Sequence, residues 1–122
     1  MSDHAKTLET IYERFNARDV DGVVAHMHPD VEWPNAWEGG RIRGVAGVRD
    51  YWRRQWAEIE PTVTPQQFLA LDDGRVAVVV HQLVRDRAGA LLADKIVRHV
   101  YRFEDGKVRS MEVDEDAVSK PD

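Results

Sequence analysis

Apolar residues recur along this chain with two different periods, and the change between them falls near its middle. Leu8, Ile11, Tyr12 and Phe15 are spaced three and four apart, which predicts an amphipathic helix. The same spacing returns at Val20, Val23, Val24 and Met27 after a break at Arg18-Asp19, predicting a second, shorter helix. A third stripe, Val45, Val48, Trp52, Trp56 and Ile59, starts near Gly44 and stops before Pro61. From Thr62 onward, β-rich runs predict strands over 62–71, 75–86, 91–103 and 107–115. The breaks between them are Asp73-Gly74, residues 87–90, and Asp105-Gly106; Asp-Gly between such runs is a strong local hairpin signal. Residues 31–33 and 41–43 are long enough only for edge strands, flanking a loop that holds Trp33, Asn35, Trp37 and the pair Gly39-Gly40.

Three helices followed by a four-strand antiparallel meander is an α+β pattern, in which a curved sheet wraps the long helix. The expectation is one domain over residues 1–122, with frayed ends at about 1–4 and 117–122. Within the strands, phase predicts facing. Ala77, Val79, His81, Leu83 and Arg85 share one side of their strand, and Val97, His99, Tyr101 and Phe103 share a side of the next. A turn at 87–90 makes His81 and His99 opposite or diagonal neighbours, roughly 5–8 Å apart on one inner face. The even positions Val76, Val78, Val80, Gln82 and Val84, joined by Ile96 and Val100, then form an outer face that is apolar as well. Such a face needs cover, and a homodimer through it is the simplest one.

Composition narrows the function classes. A chain of 122 residues buries roughly two-thirds of its unfolded surface, so it needs no metal or disulfide to hold its core. Cysteine is absent, which removes thiol nucleophiles, disulfides and cysteine metal sites and suits a reducing, cytoplasmic setting. The formal charge of -5 works against nucleic acid, whose binding depends on a positive footprint. Arg41, Arg43, Arg49, Arg53 and Arg54 cluster, but Glu38, Asp50 and Glu58 make the surroundings a mixed, solvated face. Neither a signal-like apolar run nor a stretch of the ~20 apolar residues needed to span a membrane occurs, so no membrane partner is expected.

Histidine is the main candidate for chemistry. Two imidazoles on an apolar sheet face have their pKa values lowered by desolvation and by each other, leaving at least one neutral and basic near pH 7. Tyr101, two residues from His99, can donate to a developing oxyanion. His26 and His28 form an H-x-H on a predicted helix end, where that spacing points them apart, and no metal site is expected. His4 falls in the frayed terminus. The tract GGRIRGVAG has the glycines of a phosphate cradle but not its G-K-[ST] ending, so it predicts a turn and helix entry. Four tryptophans, Trp33, Trp37, Trp52 and Trp56, divided between loop and helix, suit a flat, largely apolar ligand.

The runs RFNARDVDGVVAHMHPDVEW, GVAGVRDYW and HVYRFEDGKVRSMEV together resemble the nuclear-transport-factor-2-like superfamily, in its ketosteroid isomerase and SnoaL-like polyketide cyclase branch. The resemblance spans residues 8–113. It implies a cone-shaped, cystatin-like or SnoaL-like α+β barrel with an apolar pocket at its open end, Trp33 and Trp37 at the mouth, and the glycine-rich loop as lid. Tyr12, Phe15, Val97 and Met111 join the predicted pocket lining with Asn35, Trp52 and Trp56. For a ketosteroid isomerase the likeness implies an aspartate base, a tyrosine and a protonated acid. Ungapped alignment puts Asn35, Ile11 and His99 at those three places, and asparagine abstracts no proton. Met111 and Val113 stand where an epoxide hydrolase's charged residues would fall, and the dehydratases' histidines do not transfer residue by residue. The expected function is therefore a cofactor-independent isomerase, cyclase or dehydratase acting by proton transfer on an apolar cyclic compound, with His81 or His99 as acid or base and Tyr101 and Asn35 polarising oxygen. The competing expectation is a non-catalytic ligand-binding or dimeric accessory domain.

Overall fold

The structure is a computed structural model, described over residues 3–35 and 39–114. The first apolar stripe forms helix α1, Asp3–Asn16. It stops where Arg18 takes a positive φ of 62° and the Asp19 amide donates back to the Arg14 carbonyl. Asp19 then caps α2, Val20–Val24, by accepting from the Gly22 amide at 3.0 Å. This helix is shorter than the periodicity predicts. Met27 opens strand β1, Met27–Pro34, because the His26 carbonyl accepts from the Val108 amide and draws the chain into the sheet. Strand β2, Arg41–Arg43, follows. Gly44 makes the sharp turn into α3, Val45–Glu58, with φ 84° while its amide donates to Val31. The remaining strands are β3 Ile59–Ala70, β4 Val76–Asp86, β5 Leu91–Glu104 and β6 Lys107–Asp114.

All six strands join one sheet in the order β2-β1-β6-β5-β4-β3. The sheet is mixed rather than wholly antiparallel, since β1 runs parallel to β6. Residues 31–33 accordingly lie in an interior strand instead of at an edge, and the open edges are β2 and β3. Local periodicity cannot show such a pairing, because the partners are far apart in sequence. Two fourteen-residue helices, not one, occupy the concave face. Leu8, Ile11 and Tyr12 of α1 and Val48, Tyr51 and Trp52 of α3 share one buried cluster with Val78, Val80, Val97, Val108 and Met111. His4 is part of α1, its ring stacked on Phe103 at 3.9 Å, rather than in a frayed end. No described helix is long and apolar enough to cross a membrane.

The β4–β5 register decides which side chains meet. Asp86 closes the hairpin, its carboxylate accepting from the Ala88 and Ala90 amides, and Arg85 pairs with Leu91. Val84 then pairs with Ala93, so Leu92 is an extra, bulged residue. A slip of one residue turns every later side chain to the other face. The resulting partners are Val78 with His99, Val80 with Val97, and His81 with Ile96. Val76, Val78 and Val80 therefore lie in the core, not on an outer dimer face, and Gln82 and Val84 share their side. His81 faces away from His99, on the opposite side of the sheet.

Candidate active site

Between the two long helices and the concave face of the sheet lies a cavity of about 250 Å³. Its walls are aromatic. Trp33 meets Trp52 edge-on at 5.5 Å between ring centroids, and Trp52 meets Phe15 likewise at 5.3 Å, making a continuous band from β1 through α3 to α1. Ile11, Val63, Met111 and Val113 complete the apolar lining.

At one side of this cavity three polar rings form a chain. The Tyr101 hydroxyl donates to Tyr12 Oη at 2.8 Å, and Tyr12 Oη lies 2.8 Å from His99 Nδ1. Having accepted from Tyr101, Tyr12 directs its own hydrogen to Nδ1, so the imidazole's hydrogen sits on Nε2. That nitrogen has no hydrogen-bond partner among the described residues, and the ring lines the cavity. All three groups are held neutral by burial. Desolvation lowers the His99 pKa from 6.5 to about 4, with no charged neighbour contributing. It raises the phenols of Tyr12 and Tyr101 as well, the hydrogen bond that Tyr101 shares with Tyr12 partly opposing the rise at Tyr101. A ligand oxygen entering the cavity could meet the His99 N–H in a largely apolar wall, where such a contact is stronger than in water.

The expected site is thus partly assembled. Tyr12, Phe15, Trp33, Trp52, His99, Tyr101 and Met111 line one cavity. His81 does not join them. It sits on the outer face with Nε2 2.6 Å from Asp94, because the Leu92 bulge sets the register. Val97 is fully buried beneath the site rather than in its wall. Trp56 stands behind Trp52, ring centroids 5.9 Å apart, with the Arg18 guanidinium 5.4 Å above it, and acts as a backing layer. Asn35 is buried but is not part of the cavity lining; its backbone N–H donates to the Gly40 carbonyl and its backbone carbonyl accepts from the Gly39 N–H. Trp37 lies outside the described residues. Sequence reasoning missed Tyr51 and Gln55, which line the cavity and hydrogen-bond each other at 3.0 Å, and it placed Gln82 on the wrong face. Their signal is the i, i+4 spacing beside Trp52, one step around the same helix.

His28, Glu104 and Asp105 bring three possible metal ligands together at the surface, with His28 on β1 rather than on a helix end. The donor set has the wrong tautomer for an ion. His28 Nδ1 accepts from the Asp30 amide at 3.0 Å, which puts the neutral ring's hydrogen on Nε2, the nitrogen that points at Glu104 from 3.2 Å. Arg109 already neutralises Glu104 from 3.6 Å. Dialysis against a chelator should therefore leave the melting temperature unchanged, and stoichiometric zinc in untagged protein would contradict this.

Comparison with known proteins agrees with this fold. Residues 8–111 match the family model of the SnoaL-like domain. Among solved structures, an NTF2-like protein of unknown function from Burkholderia pseudomallei is 30% identical, with a TM-score of 0.82 over 95% of this chain and 92% of that one. TerC, co-crystallised with polyporic acid, is 28% identical with a TM-score of 0.82 over 96% and 94% of the two chains. A Mycobacterium tuberculosis protein in complex with estradiol-17beta-hemisuccinate shares the fold at 19% identity, with a TM-score of 0.80 over 93% of each chain. No curated protein sequence matches significantly.

Proposed function

Because the chain belongs to the SnoaL-like domain family, we propose that its cavity takes a flat, largely apolar small molecule and moves a proton on it without a cofactor, in isomerase, cyclase or dehydratase fashion. The observation that carries this is the His99 ring, which lines an aromatic cavity with its Nδ1 held by Tyr12 and its Nε2 left for a ligand. Trp33, Trp52 and Phe15 hold the ligand's faces, and His99 is an acid at Nε2 in the tautomer that Tyr12 and Tyr101 favour and a base at Nε2 in the other. The ring-bearing ligands named for TerC and for the mycobacterial protein support this substrate class. His99→Gln should keep the fold and lower turnover roughly a hundredfold or more, the usual contribution of a positioned acid or base. Thermal-shift screening of cyclic ketones and phenols identifies the substrate, because a ligand raises the melting temperature by mass action.

One observation favours the alternative, a non-catalytic binding domain: no carboxylate of the described residues lines the cavity, and an imidazole with a pKa of about 4 is a weak base. On that reading His99→Gln changes affinity alone.

Homodimerisation is retained in this proposal on a corrected surface. The side of the sheet away from the helices carries Val79 and Leu83 of β4 and Ile96 and Val100 of β5, bordered by the His81–Asp94 and Arg98–Asp114 pairs. Sedimentation at micromolar concentration should give a dimer, and Ile96→Lys a folded monomer of 14.0 kDa. A wild-type monomer would sink the assignment.

A further inference from the structure

We infer that Tyr101, Tyr12 and His99 act as one reversible proton wire whose two ends, the Tyr101 hydroxyl and His99 Nε2, serve the same cavity, and that the wire suits substrates carrying a proton donor and a proton acceptor on one conjugated frame. This rests on the acid–base reading above and goes beyond it by giving Tyr12 a conducting role. Three observations support it.

The first is placement. His99 and Tyr101 stand two residues apart on β5 with their ring centroids 6.2 Å apart, and both line the cavity. Tyr12 reaches in from α1 and bridges them through two contacts of 2.8 Å. The second is symmetry of the bonding. Each phenol both donates and accepts, and a neutral imidazole has one nitrogen of each kind, so the same heavy-atom positions serve either direction of the chain. In one direction the cavity meets a donor at Nε2; in the other it meets an acceptor there and a donor at Tyr101. The third is the lack of countercharge. His99 faces Tyr12 from α1 and Tyr101 on its own strand, while its register partners on β4 and β6 are Val78 and Val113. None of these carries a charge to stabilise an imidazolium or a tyrosinate. A chain that shifts all its hydrogens together never needs one.

For an enolisable ketone the step balances without an ion. The substrate's α C–H proton goes to Nε2, Nδ1–H passes to Tyr12 Oη, the Tyr12 proton passes to Tyr101 Oη, and the Tyr101 proton goes to the ketone oxygen. The C–H pair becomes the new C=C bond, and the C=O π pair becomes the new O–H bond. Reversal of the wire at another carbon of the same frame completes an allylic proton shift.

Nitrogen NMR on full-length protein carrying ¹⁵N-histidine tests the wire without any substrate. His99 should stay neutral from pH 5 to 8 and be mainly the Nε2–H tautomer in the wild type, with a measurable Nδ1–H fraction from the reversed wire. Tyr101→Phe leaves Nδ1 as the only partner for the Tyr12 hydrogen, so it should lock His99 in the Nε2–H tautomer and remove the Nδ1–H fraction that the reversed wire gives the wild type. Tyr12→Phe, the second variant, should free Nδ1 altogether. A wild type with no detectable Nδ1–H fraction, or an Nδ1–H fraction in folded Tyr101→Phe at least as large as in the wild type, overturns the wire. Deuterium exchange into α-tetralone, run beside this in deuterated water, tests the acid–base reading separately. Exchange that Tyr101→Phe lowers at least tenfold in kcat with little change in KM supports both. Exchange that is insensitive to Tyr101→Phe overturns the wire and leaves the acid–base reading standing.

Discussion

Val78→Lys should prevent folding, giving insoluble or molten protein rather than a dissociated subunit. Val78 is fully buried on the concave side of β4, paired with Phe68 on one flank and His99 on the other. A lysine there must either bury an unpaired ammonium, at a cost of several kcal/mol, or give up its proton through a pKa lowered by about 3–5 units, which is about 4–7 kcal/mol. Overpacking of the longer side chain adds about 1–3 kcal/mol. A domain of this size is stable by only about 5–15 kcal/mol, so the sum consumes most or all of it. Circular dichroism and soluble yield measure the outcome, with Ile96→Lys on the opposite face as the control that should stay folded. A cooperative melt of Val78→Lys near that of the wild type would show that β4 faces the other way.

The second large effect is loss of stability in mild acid. His99 binds its proton at pH 6.5 when unfolded but only at about pH 4 when folded, because burial disfavours the imidazolium. Between those values the unfolded chain holds more protons than the folded one, so stability falls as the pH falls. The contribution is whole above pH 6.5 and is lost by about pH 4, amounting to about 3 kcal/mol. Urea denaturation across pH 4 to 7.5 should show this slope in the wild type, and His99→Gln should flatten it even if its absolute stability is lower. An equal slope in both proteins would assign the acid sensitivity to other groups.

Tyr12→Phe should cost about 1–3 kcal/mol, since it leaves the buried Nδ1 of His99 without its hydrogen-bond partner. Comparison of urea midpoints at pH 7.5 measures this, and no loss would mean that water replaces the phenol.

Periodicity alone pointed to an α+β chain with helices in its first half and strands in its second, because each element must bury one face and the spacing of its apolar residues records which residues those are. Tyr12 and Phe15 could be assigned to the pocket for the same reason: only one side of a helix with the stripe Leu8, Ile11, Tyr12, Phe15 can face inward. The inward phase of Met111 and Val113 was equally legible. Where both phases of a strand are apolar, as in β4, alternation carries no instruction about facing. A single bulged residue at Leu92 then decided it, moving His81 to the outer surface and Val76, Val78 and Val80 into the core. The parallel pairing of β1 with β6 and the bond between Tyr12 and His99, 87 positions apart, belong to the same class. Local sequence determined the elements and their candidate faces, since those depend on neighbours within a turn or a pleat. Register, strand neighbours and the desolvation that makes His99 a neutral imidazole were decided only by tertiary packing, because each depends on which distant segment excludes the water.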